Sequence, residues 1–185
     1  MPLTLLMLPP QRETTREWAA RLAAAVPEMS IVVAESDADA ARAVGDADAA
    51  FGTIPDALLP LADFVILTVP HTPATEGFMS RARFRLMKRT AFFINIGRGR
   101  TTRLDDLVEA LKAGEIAGAG LDVFEQEPLP ADHPLWTMPG VLITPHTAGF
   151  GPHLDERRFA VLLDNCRRFA AGQPLRNVVD KANWF

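Results

Sequence analysis

The stretch Phe64-Val65-Ile66-Leu67-Thr68-Val69 is the clearest β-strand pattern in the chain. A continuous apolar run of this length favours a strand buried on both faces, as in a parallel sheet that helices cover. Around it, short apolar runs alternate with helical patterns through almost all of the 185 residues. This alternation predicts an α/β fold in which helices cover one or more parallel sheets.

The same patterns predict the other elements. Thr14 or Thr15 is expected to cap the first helix, because Trp18, Leu22 and Val26 follow at helical spacing. Further helices are expected over residues 38–44, 104–113 and 153–171, with a short helical segment over 54–61. Besides 64–69, the predicted strands are 3–8, 31–34, 49–51, 91–95, 117–123 and 141–144.

Composition limits the classes of function. The net charge of −4 argues against a nucleic-acid binder. No apolar run approaches the roughly 20 residues that a membrane span needs, so we expect a cytoplasmic protein. Cys166 is the only cysteine and is expected to be a buried structural thiol. The four histidines have no close partners at metal-ligand spacing, so no metal site is expected.

Three residues with reactive side chains follow three successive predicted strands. Arg98 lies between Gly97 and Gly99, which would let the backbone turn sharply and approach a ligand closely. Its guanidinium matches a carboxylate bidentately. The alternative for Arg98 alone is an arginine that pairs with a neighbouring acid in the turn.

His146 and Glu127 follow the next two strands. Histidine exchanges a proton near neutral pH, and a carboxylate beside the ring would favour its protonated form and fix its orientation. Taken singly, each also fits an ordinary polar residue of a loop. Taken together, Arg98, Glu127 and His146 are expected at one edge of one sheet, where they suit the interconversion of a 2-hydroxy acid and a 2-oxo acid.

The segments Asn95-Ile96-Gly97-Arg98-Gly99, 121–128 and Thr144-Pro145-His146 resemble the D-isomer-specific 2-hydroxyacid dehydrogenases, over roughly residues 57–181. The resemblance implies a Rossmann-like fold, NAD or NADP as cofactor, and a small 2-hydroxy or 2-oxo acid as substrate. It implies that Arg98, Glu127 and His146 are catalytic. It also implies that the cofactor is bound by Val69, Pro70, Thr75, Ile96 and Asp122, with Asp122 bonding the nicotinamide carboxamide.

The sequence departs from the family pattern in two places. Thr101, Thr102 and Arg103 stand where the family usually has two apolar residues and an aspartate. The glycine-rich G-x-G-x-x-G turn that binds the pyrophosphate is absent from the printed residues. We therefore interpret the chain as a two-domain dehydrogenase with an internal deletion between residues 53 and 57.

The expected domain organisation follows from that deletion. Residues 1–53 would be part of the substrate domain, rejoined by the C-terminal helix of 153–185, and residues 54–152 the second half of the dinucleotide-binding domain. The alternative is one continuous α/β domain, 1–185, in which the first strands complete a single sheet. Two incomplete half-domains, held by homo-oligomerisation or poorly folded, are the other outcome.

Two functions, and a third interpretation of the printed sequence, remain open at this point. The chain could be a shortened dehydrogenase with residual or no activity, or a non-catalytic module that binds a ligand or a partner. The printed sequence could also omit a segment that the full protein has.

Overall fold

The computed structural model describes residues 3–182. The chain forms two compact units: one runs up to Asp63 and includes Arg85–Lys88, and the other comprises Phe64–Phe84 and the chain from Arg89 onward. Residues 1–2 and 183–185, at the ends of the predicted domains, lie outside the described residues. The helices and strands of both units alternate as the α/β prediction expects, and that fold class is confirmed.

The first unit is built on a three-stranded parallel sheet. Its strands are β1 (Leu3–Met7), β2 (Met29–Val33) and β3 (Ala49–Phe51), in the order β2-β1-β3. Its helices are α1 (Glu13–Ala25) and α2 (Asp37–Ala43), followed later by a 3₁₀ turn, Asp56–Leu61. A small apolar core packs beneath the sheet, consisting of Leu6, Leu8, Ala34, Ala40 and Leu58.

The predicted cap of α1 is wrong. The N-cap residue is Arg12, and Thr15 lies in the first turn. The Thr15 hydroxyl accepts a hydrogen bond from the Arg12 backbone N–H at 2.8 Å. Threonine therefore stabilises the helix start from inside the helix, by the reciprocal half of a capping box.

The second unit is built on a four-stranded parallel sheet. Its strands are β4 (Phe64–Leu67), β5 (Phe92–Asn95), β6 (Gly118–Leu121) and β7 (Val141–Ile143), in the order β4-β5-β6-β7. The intervening helices are α3 (Arg81–Phe84), which was not predicted, and α4 (Leu104–Lys112). Helix α5 (Leu154–Ala170) ends the regular structure.

One face of this four-stranded sheet is packed and the other is bare. On the packed face, the buried rings of Phe84 and Phe93 meet edge to face at 5.2 Å. On the other face, Phe64 is 64% exposed and Leu142 is 69% exposed. The expectation that the 64–69 strand is buried on both faces is therefore wrong. Its alternate residues Val65 and Leu67 are buried, whereas Phe64 and Ile66 are exposed.

Helix α5 has no buried residue, although its sequence is amphipathic. Phe159, Leu162 and Phe169 are all more than half exposed. Cys166 lies on the same helix and is exposed, so the prediction of a buried thiol is wrong. The pattern of apolar residues indicated a helix correctly but did not reveal what its apolar side would contact.

The strands form two separate sheets rather than the one continuous sheet of the alternative prediction. The division between compact units falls at Asp63, and the residues of α5 belong to the second unit. The assignment of 1–53 with 153–185 to a substrate domain, and of 54–152 to a dinucleotide-binding domain, remains a prediction. No helix among residues 3–182 has the length and apolar character that a membrane crossing requires.

Candidate active site

The carboxyl ends of β5, β6 and β7 lie in register at one edge of the second sheet. Asn95 is level with Leu121, and Leu121 is level with Ile143. The backbone N–H of Asp122 donates to the carbonyl of Asn95 at 3.0 Å, and that of Thr144 donates to the carbonyl of Leu121 at 2.9 Å. The segments that follow these three strands therefore leave the sheet side by side.

The structure brings His146 and Glu127 into contact. The ring Nδ1 of His146 lies 2.8 Å from Oε2 of Glu127, and both side chains are partly exposed. Glu127 is held from the other side by the backbone N–H of Phe124, which donates to Oε1 at 2.9 Å. His146 has a left-handed backbone conformation, with φ of 54°, so the chain bends tightly at this residue.

The charge state of Glu127 defines the tautomer of His146. Burial raises the pKa of Glu127, but the hydrogen bonds from Phe124 and His146 and the charge of His146 outweigh it, so the pKa lies below its usual value. An ionised carboxylate only accepts hydrogen bonds, so the hydrogen of this contact belongs to Nδ1 of His146. The other ring nitrogen, Nε2, is then the one that can exchange a proton with a ligand.

Asp122 anchors the loop that contains His146. The carboxylate is 2% exposed, and Oδ1 accepts from the Thr144 hydroxyl at 2.5 Å and from the Thr147 N–H at 2.8 Å. Oδ2 accepts from the Ala148 N–H at 2.8 Å. A carboxylate has about four acceptor positions, so one on Oδ2 remains for a further donor. These bonds hold the Thr144 side chain before His146 and the backbone of Thr147 and Ala148 after it.

The pKa of Asp122 reflects the same contacts. Burial raises the pKa of Asp122, whereas the hydrogen bonds from Thr144, Ala148 and Thr147 lower it. The lowering is the larger effect, so the pKa lies below its usual value. Asp122 therefore stays ionised, which suits a group that receives three hydrogen bonds.

We expect the Asp122→Asn variant to be less stable than the parent at pH 7, because an amide cannot accept from all three donors. A lowered native pKa contributes stability above the unfolded pKa, near 3.9, and this contribution disappears as pH falls through the native value. The stability difference between the two proteins should therefore shrink below about pH 4. Urea unfolding from pH 3 to 7 measures this, with Asp132→Asn, an exposed carboxylate of a nearby loop, as the control. A difference independent of pH would contradict the role assigned to the charge.

Arg98 follows β5 at the same edge, with an exposed side chain. Its Nη1 donates to the carbonyl of Gly97 at 2.7 Å, and no ion pair of Arg98 occurs within residues 3–182. The alternative of an arginine paired with an acid in its turn is therefore not what the structure shows. Arg98 makes no hydrogen bond or ion pair with Glu127 or His146.

The glycines beside Arg98 serve the packing of the chain itself. A Cβ on Gly97 would lie 2.7 Å from the carbonyl oxygen of Val69, and one on Gly99 would lie 1.8 Å from that of Phe124. The glycines permit close approach of the loops after β4 and β6. The expected close approach to a ligand stays a prediction. The Arg98 loop is wedged between its neighbours.

The remaining cofactor candidates lie around the ends of β4 and β5. Pro70 and Ile96 are exposed, and Val69 is half-buried. The Thr75 hydroxyl donates to the carbonyl of Pro70 at 2.7 Å and accepts from the Thr72 N–H at 2.8 Å, so it closes the turn after β4. These residues present an accessible apolar surface beside Arg98.

A cavity of about 550 Å³ opens beside the His146–Glu127 pair. Its polar lining includes Asp122 and Thr144 in addition to the pair. Its apolar lining consists of Phe124, Leu129, Trp136, Ile143 and two prolines. A volume of this size is typical of a small-molecule site.

Three residues of this site were not predicted from the sequence. Thr144 and Thr147 donate hydrogen bonds to Asp122, and Trp136 lines the cavity. Of the three, only Trp136 lies in the segment 124–139, whose Pro-rich and acidic composition predicts a loop.

The family model of the D-isomer-specific 2-hydroxyacid dehydrogenase NAD-binding domain matches residues 15–148. The chain therefore belongs to the D-isomer-specific 2-hydroxyacid dehydrogenases, as its motifs predicted. The match begins inside α1 and so includes part of the first unit.

Among curated relatives, the chain is 44% identical over 128 residues to a glyoxylate/hydroxypyruvate reductase B of an Enterobacter species, covering 68% of this chain and 39% of the relative. It is 45% identical over 104 residues to the human glyoxylate reductase/hydroxypyruvate reductase, covering 56% and 31%. The chain thus matches less than half the length of these relatives.

Solved structures agree with the fold. An NADPH-dependent glyoxylate/hydroxypyruvate reductase of Sinorhizobium meliloti, in complex with NADP and sulfate, is 28% identical with a TM-score of 0.67, covering 100% of this chain and 57% of that one. A D-isomer-specific 2-hydroxyacid dehydrogenase of Xanthobacter autotrophicus, in complex with NADPH, is 30% identical with a TM-score of 0.65, covering 96% and 71%.

Proposed function

We propose that this chain supplies the proton-transfer and carboxylate-binding groups of an NAD(P)-dependent oxidoreductase that interconverts a 2-hydroxy acid and a 2-oxo acid. The observation that carries the proposal is the 2.8 Å contact between His146 Nδ1 and an ionised Glu127. In reduction, Nε2 of His146 gives a proton to the oxygen on C2 as hydride reaches that carbon. Glu127 keeps the ring oriented through its contact with Nδ1.

Arg98 binds the carboxylate of the substrate in this proposal. Its guanidinium is exposed, and its described hydrogen bond uses only one of five N–H donors. The remaining donors can form a bidentate pair with a carboxylate. The same positive charge polarises the neighbouring C2 oxygen, which makes the carbon a better hydride acceptor.

The nicotinamide cofactor supplies or accepts the hydride when it is bound. Asp122 Oδ2 has an acceptor position that would take the carboxamide N–H, and Val69, Pro70, Thr75 and Ile96 follow strands β4 and β5 of the same parallel sheet. These residues fit the nicotinamide side of such a cofactor. The printed chain has no glycine-rich turn for the pyrophosphate, so we expect weak binding of the nucleotide.

The substrate class follows from the chemistry of Arg98 and His146 together with the relatives. A small 2-oxo acid such as glyoxylate or hydroxypyruvate has the carboxylate and the adjacent carbonyl that these groups address. The sequence leaves both NAD and NADP open as the cofactor. A cytoplasmic location and homo-oligomerisation stay predictions from the sequence.

We expect NADH or NADPH to bind this chain with a dissociation constant weaker than micromolar, because the pyrophosphate turn is absent. Fluorescence titration of each nucleotide measures this. At near-saturating nucleotide, glyoxylate or hydroxypyruvate should oxidise it, and the Arg98→Ala variant should lose that oxidation. Micromolar affinity would reveal a substitute for the glycine-rich turn. Tight binding without oxidation would instead favour the second candidate, a non-catalytic binding module.

A further inference from the structure

A buried polar cluster lies directly beneath Arg98. It consists of Asn95, Thr101 and Thr102, each no more than 1% exposed. The side-chain amide of Asn95 donates from Nδ2 to the Arg98 carbonyl at 3.1 Å, to Thr101 Oγ1 at 3.3 Å and to Thr102 Oγ1 at 3.0 Å. Its Oδ1 accepts from the Gly97 N–H at 3.0 Å. The Asn95 side chain therefore forms hydrogen bonds with residues at both ends of the loop 97–102, which contains Arg98.

The carbonyl of Arg98 accepts several hydrogen bonds from this cluster. Besides the amide of Asn95, it accepts from the Thr101 hydroxyl at 2.5 Å and from the Thr101 N–H at 3.2 Å. The Thr102 hydroxyl, in contrast, contacts Asn95 and not Arg98. The two adjacent threonines are equally buried but differ in whether they touch the Arg98 backbone.

The outer side of the loop is held by a neighbouring segment. The Met79 N–H donates to the Thr101 carbonyl at 2.9 Å, and the Arg103 N–H donates to the Met79 carbonyl at 2.9 Å. The Gly77 N–H donates to the Arg100 carbonyl at 2.8 Å. Residues 100–103 thus form a fixed frame, and Asn95 with Thr101 connects the Arg98 backbone to that frame.

We propose that Asn95 and Thr101 are positioning residues for Arg98, and that their hydrogen bonds hold its backbone so that the guanidinium is presented to a ligand carboxylate in one orientation. This inference rests on the proposed function only for the identity of the ligand. Burial of polar side chains costs free energy of folding, because each polar group loses its hydrogen bonds to water. The cluster assigns a role to Thr101, one of the two threonines that depart from the family pattern.

The matched variants Thr101→Val and Thr102→Val test the proposal. Each replaces a buried threonine with a side chain of nearly the same size, so both should lower the unfolding temperature. The decrease should be larger in Thr101→Val, because the Thr101 hydroxyl makes two described hydrogen bonds and the Thr102 hydroxyl makes one. Only Thr101→Val removes a donor to the Arg98 carbonyl. The ¹⁵N NMR order parameter of the Arg98 N–H should therefore fall from about 0.85 toward about 0.6 in Thr101→Val and remain high in Thr102→Val.

Binding of oxamate, a mimic of a 2-oxo acid, gives the second readout. It should weaken about tenfold in Thr101→Val and less than about twofold in Thr102→Val, since a charged hydrogen bond is impaired only in the first. The more severe Asn95→Asp variant keeps the acceptor for Gly97 but loses the donor to Arg98. It should resemble Thr101→Val or exceed it.

The outcomes separate this inference from the proposed function. If the two threonine variants have the same Arg98 order parameter, the positioning role is overturned, and comparison of the parent with Arg98→Lys still decides whether Arg98 binds a carboxylate. If the order parameters differ as expected but the parent and Arg98→Lys bind oxamate alike, the positioning role stands and the proposed function falls.

Discussion

Replacement of His146 with Asn is expected to lower turnover of a 2-oxo acid by about 10²- to 10⁴-fold, the range typical of losing a general acid or base. The ionised Glu127 keeps a hydrogen on Nδ1, which leaves Nε2 as the proton donor, and an amide cannot replace it. The KM should change little, because Arg98 remains. Steady-state oxidation of NADH measures the effect, in this chain or in one completed with the glycine-rich segment of a longer relative.

The matched control is His153→Asn. His146 and His153 both have a left-handed backbone, with φ of 54° and 64°, and asparagine tolerates this conformation well. The two substitutions therefore place equal demands on the backbone. Of these two histidines, His146 contacts Glu127 and His153 does not. Equal turnover of the two variants would remove His146 from the mechanism.

The Gly99→Ala variant is expected to lose about 3 kcal/mol of stability or more, at or above the upper end of the range for overpacking a well-packed site. The added Cβ would lie 1.8 Å from the Phe124 carbonyl oxygen and 2.6 Å from the Glu125 nitrogen. These are backbone atoms, so no rotamer change relieves the clash. Urea unfolding measures the loss.

Gly149→Ala is the control for that substitution. Gly149 has no heavy atom within 4 Å of the position of an added Cβ and has no positive φ. Its replacement should change stability by less than about 1 kcal/mol, in the stabilising direction, because alanine restricts the unfolded chain. A Gly99→Ala protein as stable as the parent would show that the Arg98 loop is not wedged between its neighbours.

The strands and the residues at their ends were predictable because both signals are local. Apolar runs and the polar residues that end them, such as 91–95 followed by Arg98, indicate a strand and its carboxyl edge without knowledge of the partner strands. The alternation also correctly indicated parallel sheets. The His146–Glu127 contact followed from the same reasoning about adjacent strand ends.

What failed depended on neighbours that are distant in the sequence. Phe64 on β4 and Cys166 on α5 would be buried only if another part of the molecule packed against them. An apolar pattern in the sequence does not reveal whether such a packing partner exists. The cap of α1 failed for a different reason, because Thr15 makes its hydrogen bond from inside the helix. The cluster around Asn95 was missed because threonines after a strand are also typical of ordinary turns.

Because one apolar face of the β4–β7 sheet is exposed, we expect the solubility of the protein to depend on the anion of the buffer. Phe64 and Phe92 stack on that face at 5.8 Å, with Ile66 and Leu142 exposed on the same sheet. A net charge of −4 provides only modest repulsion between molecules. Sulfate and phosphate strengthen the burial of apolar surface, so salting-out by these anions should begin earlier for this chain than for a protein whose sheet is covered on both sides.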